Sequence, residues 1–229
     1  MSPNPVAQQA LGSYGPAFRR FNALLNASMY ALLALFLLVA APSLAATPKI
    51  LALGDSLTAG YGLPPEDAFP TRLEAKLRAD GTPVSIVNAG VSGDTSAGGR
   101  ARLDWALADK PDFVIVALGA NDMLRGIDPR DTRANLDAIL ATLKGRNIKV
   151  LLIGMLASPN LGKDYGAAFD SIYPDLAKKY GATLYPFFLD GVAMQRDLNQ
   201  ADGMHPNAKG VALLVDRIAP VVKKMLSGP

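Results

Sequence analysis

The chain carries a single histidine, His205, in the stretch "ADGMHPN" near its C-terminus. Folding requires no histidine, and imidazole is the side chain best suited to moving protons near neutral pH. A nucleophile to go with it is offered by Ser56 in "LALGDSLTAG". A serine hydroxyl attacks poorly until a base takes its proton, so the lone histidine and this serine form a candidate pair. Asp202 stands three residues before His205. A carboxylate there can accept from the imidazole Nδ1, fix its tautomer and leave Nε2 facing the serine. Gly90 in "NAGVSG" would expose a backbone N–H, and Asn121 in "GAND" carries a directional amide donor. Two such donors suit the negative charge that builds on a carbonyl oxygen during ester hydrolysis. Each residue also has a plainer reading taken alone: Ser56 as a helix cap, Asp202 as a turn residue with His205 exposed beside it, Gly90 and Asn121 as turn chemistry.

The elements that must position these groups are legible in the apolar pattern. "KILALGDS", "VSIVNAG", "DFVIVALGAND", "IKVLLIGM" and "ATLYPFF" are short, rich in Val, Ile and Leu, and bounded by Gly, Pro, Asn or Asp. They read as five strands buried on both faces of a parallel sheet. Helical patterns lie between them. Phe69, Leu73 and Leu77 recur every four residues, and Leu136, Ile139, Leu140 and Leu143 form one stripe before a Gly stop. "AAFDSIYPDLAKKYG" is predicted helical, with Pro174 kinking it or opening a new turn. A last helix is expected from near Pro206, the proline suiting a first helical position. Such alternation over one domain implies an α/β fold of three layers, α/β/α, with a five-stranded parallel sheet and right-handed crossovers. Ligands then bind where the strands end, and three of the five strand ends are polar and glycine-rich.

In chain order, Ser56 in "GDSL", Gly90 in "NAGVSG", Asn121 in "GAND" and His205 in "DGMHP" resemble the four signature blocks of the SGNH (GDSL) hydrolases, over about Lys49 to Leu226. "SGDTSAGGRARL", "GANDMLRG" and "IYPDLAKKYG…LYPFF" are most similar to the branch that contains periplasmic acyl-CoA thioesterase I, arylesterases and lysophospholipases. The resemblance implies a flavodoxin-like SGNH hydrolase fold and a serine esterase or thioesterase working through an acyl-enzyme. Ser56 would attack, with His205 as general base oriented by Asp202, and the oxyanion would be held by the N–H groups of Ser56 and Gly90 and the amide of Asn121. No cofactor is implied. Two alternatives stay open: a carbohydrate acetylesterase, since family relatives include such activities, and a non-catalytic envelope binding module of the same fold. The first would need sugar platforms, and the single Trp, Trp105, sits in a helical pattern with Leu103 and Leu107 that reads as core.

Composition excludes other chemistries. There is no cysteine, so thiol catalysis and disulfides are out, and one histidine leaves no zinc cluster. The nucleophile elbow G-x-S-x-G, the Walker A pattern and G-x-G-x-x-G are all missing. Arg19 and Arg20 precede an apolar run from Met29 to Ala41 and small residues at Ser43 and Ala45, the pattern of a secretory signal peptide over residues 1–45. An uncleaved anchor is the alternative, although a run this short spans a bilayer poorly; Met29 is an alternative start. Without that leader the 23 basic residues fall to 21 against 20 acidic ones, which gives no case for nucleic acid. The expectation is a monomer, periplasmic or secreted, acting on a small-molecule or lipid ester with no metal. Apolar residues beside the polar ones, Met123, Leu124 and Ile127 after Asn121 and Met155, Leu156 and Leu161 after the fourth strand, suggest an acyl groove. Several of them would serve equally as core.

Overall fold

The computed structural model describes residues 47–227, together with Arg20 and Met29. The expected signal peptide, residues 1–45, otherwise lies outside the described residues. From Thr47 the chain forms five strands: β1 Lys49–Gly54, β2 Ser85–Gly90, β3 Phe113–Ala117, β4 Lys149–Ile153 and β5 Thr183–Tyr185. All pair in parallel, in the order β2-β1-β3-β4-β5. The helices are α1 Ser56–Ala59, α2 Phe69–Ala79, α3 Ser96–Ala101, α4 Leu103–Ala106, α5 Ala120–Leu124, α6 Pro129–Gly145, α7 Lys163–Asp170, α8 Ile172–Tyr180 and α9 Ala208–Leu226.

The periodicities identified in the sequence become the packing. Phe69, Leu73 and Leu77 of α2 are buried, and this helix packs against α9. Leu136, Ile139, Leu140 and Leu143 of α6 are buried in turn, and α6 packs against α3 and α8. Parallel strands need a crossover each, and right-handed crossovers that change direction after β2 put α2 and α6 on opposite faces of the sheet. Each fully buried Leu or Ile stabilises this core by about 1.5–3 kcal/mol.

Three details differ from expectation, and the two readings of Pro174 resolve to the new turn. The strands β2 and β5 are partly exposed rather than buried on both faces, because they form the two edges of the sheet. The stretch around Pro174 divides at Ser171, and the proline falls in the first turn of α8, where no N–H is required. Pro206 stands outside the last helix, which begins at Ala208 with Asn207 as its cap; Pro206 instead bridges to Asn199. Trp105 is not core: it is 79% exposed, while its neighbours Leu103 and Leu107 are buried, because in a one-turn helix only one side meets the sheet.

Strand order positions the site. The chain runs from β1 out to the edge at β2 and returns past β1 to β3, so the connections diverge between β1 and β3. In a parallel sheet that divergence opens a crevice at the C-terminal strand ends. Ser56 directly follows β1, and Asn121 lies just beyond β3.

Candidate active site

The turn after β1 is set by Asp55. Its Oδ1 accepts from the N–H of Leu57 at 3.0 Å, capping α1, and Gly60 ends that helix in the left-handed region at φ 82°. Capping, one of the roles considered for Ser56, therefore belongs to its neighbour. Ser56 is the first helical residue, so its N–H is one of the donors a helix start leaves unused, and its hydroxyl is free for other partners.

One of those partners is His205, whose Nε2 lies 2.9 Å from Ser56 Oγ. The Nδ1 of the same ring lies 2.6 Å from Asp202 Oδ2. Asp202 serves as a turn residue at the same time, its Oδ1 accepting from the N–H groups of Met204 (2.9 Å) and His205 (3.0 Å). The two readings of D-x-x-H are thus one structure: the oxygen that shapes the turn leaves the other for the imidazole. The loop is held at its base, where Gln200 N–H donates to the His205 carbonyl at 2.7 Å and Asn207 N–H to that of Leu198 at 2.9 Å. Gln200 also reaches across, its Nε2 donating to the carbonyls of Tyr61 (2.7 Å) and Pro206 (3.0 Å). Tyr61 covers the imidazole, with ring centroids 4.7 Å apart.

The N–H of Gly90, expected as an oxyanion donor, is already engaged. The N–H groups of Ser85 and Val91 donate to β1, at Pro48 and Gly54. Alternation along the strand therefore turns that of Gly90 to the open edge, where Asn88 Oδ1 takes it at 2.9 Å. Gly90 is needed for close approach instead: a Cβ there would lie 2.2 Å from the backbone nitrogen of Ala59. Three residues on, Gly93 has φ +82°, and its N–H has no hydrogen-bond partner among the described residues. Gly93 lies within "NAGVSG", yet a free N–H is a property of the turn and leaves no signal in composition. This turn is heavily braced. Arg125 donates to the Gly93 carbonyl at 2.7 Å, and Arg102 pairs with Asp94 at 2.7 Å while donating to the Gly54 carbonyl at 2.9 Å.

Asn121 sits in α5 with its Nδ2 3.3 Å from Asp55 Oδ2. The next residue, Asp122, is buried and accepts from the N–H (2.7 Å) and hydroxyl of Ser96 and from the hydroxyl of Thr132 (3.2 Å). It ties α5 to α3 and α6. At Gly119, in front of α5, φ is +113° and a Cβ would strike the hydroxyl of Tyr173.

The carboxylates of the site differ sharply. The hydrogen bonds from the backbone N–H and ring of His205, with that of Met204, hold Asp202 down at about 2. Burial pushes Asp55 up to about 6, against the opposing pull of the Leu57 N–H, His205 and Asn121. Among the described residues no group of three or more His, Cys, Asp or Glu is placed to hold a metal ion.

The acyl-groove residues divide. Met155 is buried in the core and lines no surface, since the β4 end continues inward past Gly154 before the chain emerges. Leu124 and Leu156 are exposed, and Met123, Ile127 and Leu161 are half-buried. The loop holding Ile127 is fastened by Tyr165, whose hydroxyl donates to the Ile127 carbonyl at 2.9 Å.

A serine hydroxyl at the end of a hydrogen-bonded Asp–His line, set at the crevice of a 2-1-3-4-5 parallel sheet, defines a serine ester hydrolase of the SGNH type. The chain belongs to the GDSL-like Lipase/Acylhydrolase family, whose profile matches residues 52–213. It is 39% identical over 183 residues to Esterase TesA of Pseudomonas aeruginosa, covering 80% of this chain and 91% of that protein. Identity is also 39%, over 194 residues, to thioesterase 1/protease 1/lysophospholipase L1 of Escherichia coli, covering 84% of this chain and 92% of that one. The crystal structure of AlinE4, an SGNH-hydrolase family esterase, superposes with a TM-score of 0.68 at 50% identity, over 80% of this chain and 99% of that one.

Proposed function

We propose that Ser56 is the nucleophile of an acyl-enzyme mechanism, with His205 as general base and Asp202 as its orienting carboxylate. The observation that carries this is the continuous line from Ser56 Oγ to His205 Nε2 (2.9 Å) and from Nδ1 to Asp202 (2.6 Å). As Oγ attacks the ester carbonyl, Nε2 takes its proton, and Asp202 stabilises the imidazolium. The growing oxyanion is held by the N–H groups of Ser56 and Gly93 and by Asn121 Nδ2, donors of the kind that lower such a barrier by several kcal/mol. Collapse expels the alcohol or thiol, protonated by His205. Water then repeats the sequence to release the acid. All members of the line come from one chain, so a single copy is a complete catalytic unit.

For substrates we read medium-chain acyl esters and thioesters, aryl esters and lysophospholipids, supported by the apolar Met123, Leu124, Ile127, Leu156 and Leu161 on the segments that follow β3 and β4, none of them fully buried, and by the names of the relatives. The enzyme is read as exported, with the leader removed near Ala46. The support is the Arg19–Arg20 pair with its short apolar run, and a compact unit that begins at Thr47. Hydrolysis of p-nitrophenyl butyrate by wild type but not by Ser56→Ala tests the mechanism; activity surviving that change would overturn it. Intact protein with residues 1–45 attached, recovered from the membrane fraction, would refute export.

A further inference from the structure

The line from Ser56 to Asp202 passes by one buried carboxyl of the site. Asp55 is fully buried next to the nucleophile in sequence, and the ring nitrogens of His205 bond to Asp202 and Ser56 and not to it. It has two hydrogen-bond partners on two elements. Oδ1 receives the Leu57 N–H at 3.0 Å, and Oδ2 receives Asn121 Nδ2 at 3.3 Å, from a residue 66 positions away. The first contact caps α1, which any short polar side chain would do. The second has no such generic explanation.

We propose that Asp55 is a positioning residue for the oxyanion donor, its carboxylate dictating which end of the Asn121 amide faces the reacting carbonyl. The inference rests on the reading of Asn121 as an oxyanion donor. An amide has two ends of nearly equal shape and opposite character, NH₂ donating and C=O accepting. An ionised carboxylate has lone pairs only. It therefore accepts the NH₂ end and rejects the carbonyl end, and the second N–H of Nδ2 is left for the substrate oxygen. Ionisation at pH 7 is consistent with a carboxyl raised to about 6 by burial. Were the amide reversed, its oxygen would meet the oxyanion and turn an attraction into a repulsion. The arrangement also accounts for keeping a charge in a fully buried place, where it is costly unless hydrogen-bonded. Donation to a charged acceptor strengthens and orients the amide.

The residue exchange that tests this is Asp55→Asn. Asparagine caps a helix as well as aspartate does, so Oδ1 stays with Leu57 and the new NH₂ faces Asn121. Two donors then meet, and the Asn121 amide reverses. Asp55→Ser, which also caps but does not reach Asn121, is the second variant and keeps the test open if the first folds poorly. With p-nitrophenyl butyrate, Asn121→Ala should lower kcat by roughly 10²–10³, the cost of one oxyanion donor. Asp55→Asn should lower kcat at least about tenfold with KM nearly unchanged, the signature of an interaction made in the transition state. The double variant should be about as active as Asn121→Ala alone, since a residue acting only through Asn121 has nothing left to position. Circular dichroism and thermal melting should show every variant folded. Wild-type kcat in Asp55→Asn and Asp55→Ser would overturn the inference, as would losses that multiply in the double variant. Wild-type kcat in Asn121→Ala would overturn the oxyanion reading itself, and the inference with it.

Discussion

His205 Nε2 lies 2.9 Å from Ser56 Oγ, although 149 positions of chain separate them. The contact exists because the loop after β1 and the turn before α9 both open at the C-terminal edge of the sheet. Several measurable consequences follow from that closeness and from the groups around it.

Covalent labelling should find Ser56. An organophosphate such as paraoxon should add once per chain, and peptide mass spectrometry should place the adduct on the peptide that contains Ser56. Labelling elsewhere would refute the assignment.

Asp202→Asn keeps a side-chain oxygen for the N–H groups of Met204 and His205, so the turn should survive. It removes the acceptor that holds Nδ1–H, so kcat should fall by ~10³–10⁴, as for a serine hydrolase with the wrong tautomer. Activity of the wild type should fall in acid, because a protonated imidazole cannot accept the Ser56 proton. Asp202 itself, held at about 2, should add nothing to that limb above about pH 3. Steady-state kinetics across pH on both proteins checks this.

Stability should respond to Asp55 in the opposite direction from Asp202. With its carboxyl raised from 3.8 to about 6, folded Asp55 keeps a proton that the unfolded chain has released. Its contribution is fully present below about pH 4 and is lost as pH rises through 6, a difference on the order of 2–3 kcal/mol at ~1.4 kcal/mol per unit. The contribution of Asp202, lowered to about 2, is present above pH 4 and lost as pH falls toward 2. Urea unfolding at pH 4 and pH 7 should show a smaller difference, wild type minus Asp55→Asn, at pH 7 than at pH 4. An unchanged difference would rule out the raised carboxyl.

Gly90→Ala should destabilise by about 1–3 kcal/mol, because the added methyl meets the Ala59 backbone and not a flexible side chain. The Gly90 N–H faces Asn88 at the open edge and not the crevice, so the fraction that folds should keep its activity. Thermal melting and activity measured on the folded fraction check both.

Chain length should be read by exposed residues and not by Met155. For wild type, kcat/KM should rise from acetyl to medium-chain p-nitrophenyl esters, by up to about fourfold per methylene at ~0.8 kcal/mol each. Leu124→Ala and Leu156→Ala should flatten the rise while sparing acetyl. Met155→Ala should instead cost about 2–5 kcal/mol of stability as a core truncation. Strict acetyl preference would favour a carbohydrate acetylesterase.

Much of this protein was determined by local order in the chain. Short apolar runs divided by amphipathic stretches dictate parallel strands with helical crossovers, because that pattern has few other ways to bury itself. A lone histidine after an aspartate, and a serine at a strand end, identified the groups that the fold brings together. What the tertiary structure decided concerns direction and depth. The N–H of Gly90 is taken by Asn88 at the open edge of β2 while that of Gly93 is left free by the turn beyond it, and the position of β2 in the sheet is a property of strand order. The depth of Met155 and the exposure of Trp105 depend on which elements cover them, which hydrophobicity alone does not encode. The pairing of Asp55 with Asn121 joins the ends of two strands that become neighbours only when the sheet assembles. Local pattern selects residue types and elements; long-range packing selects which polar atoms are left facing the crevice.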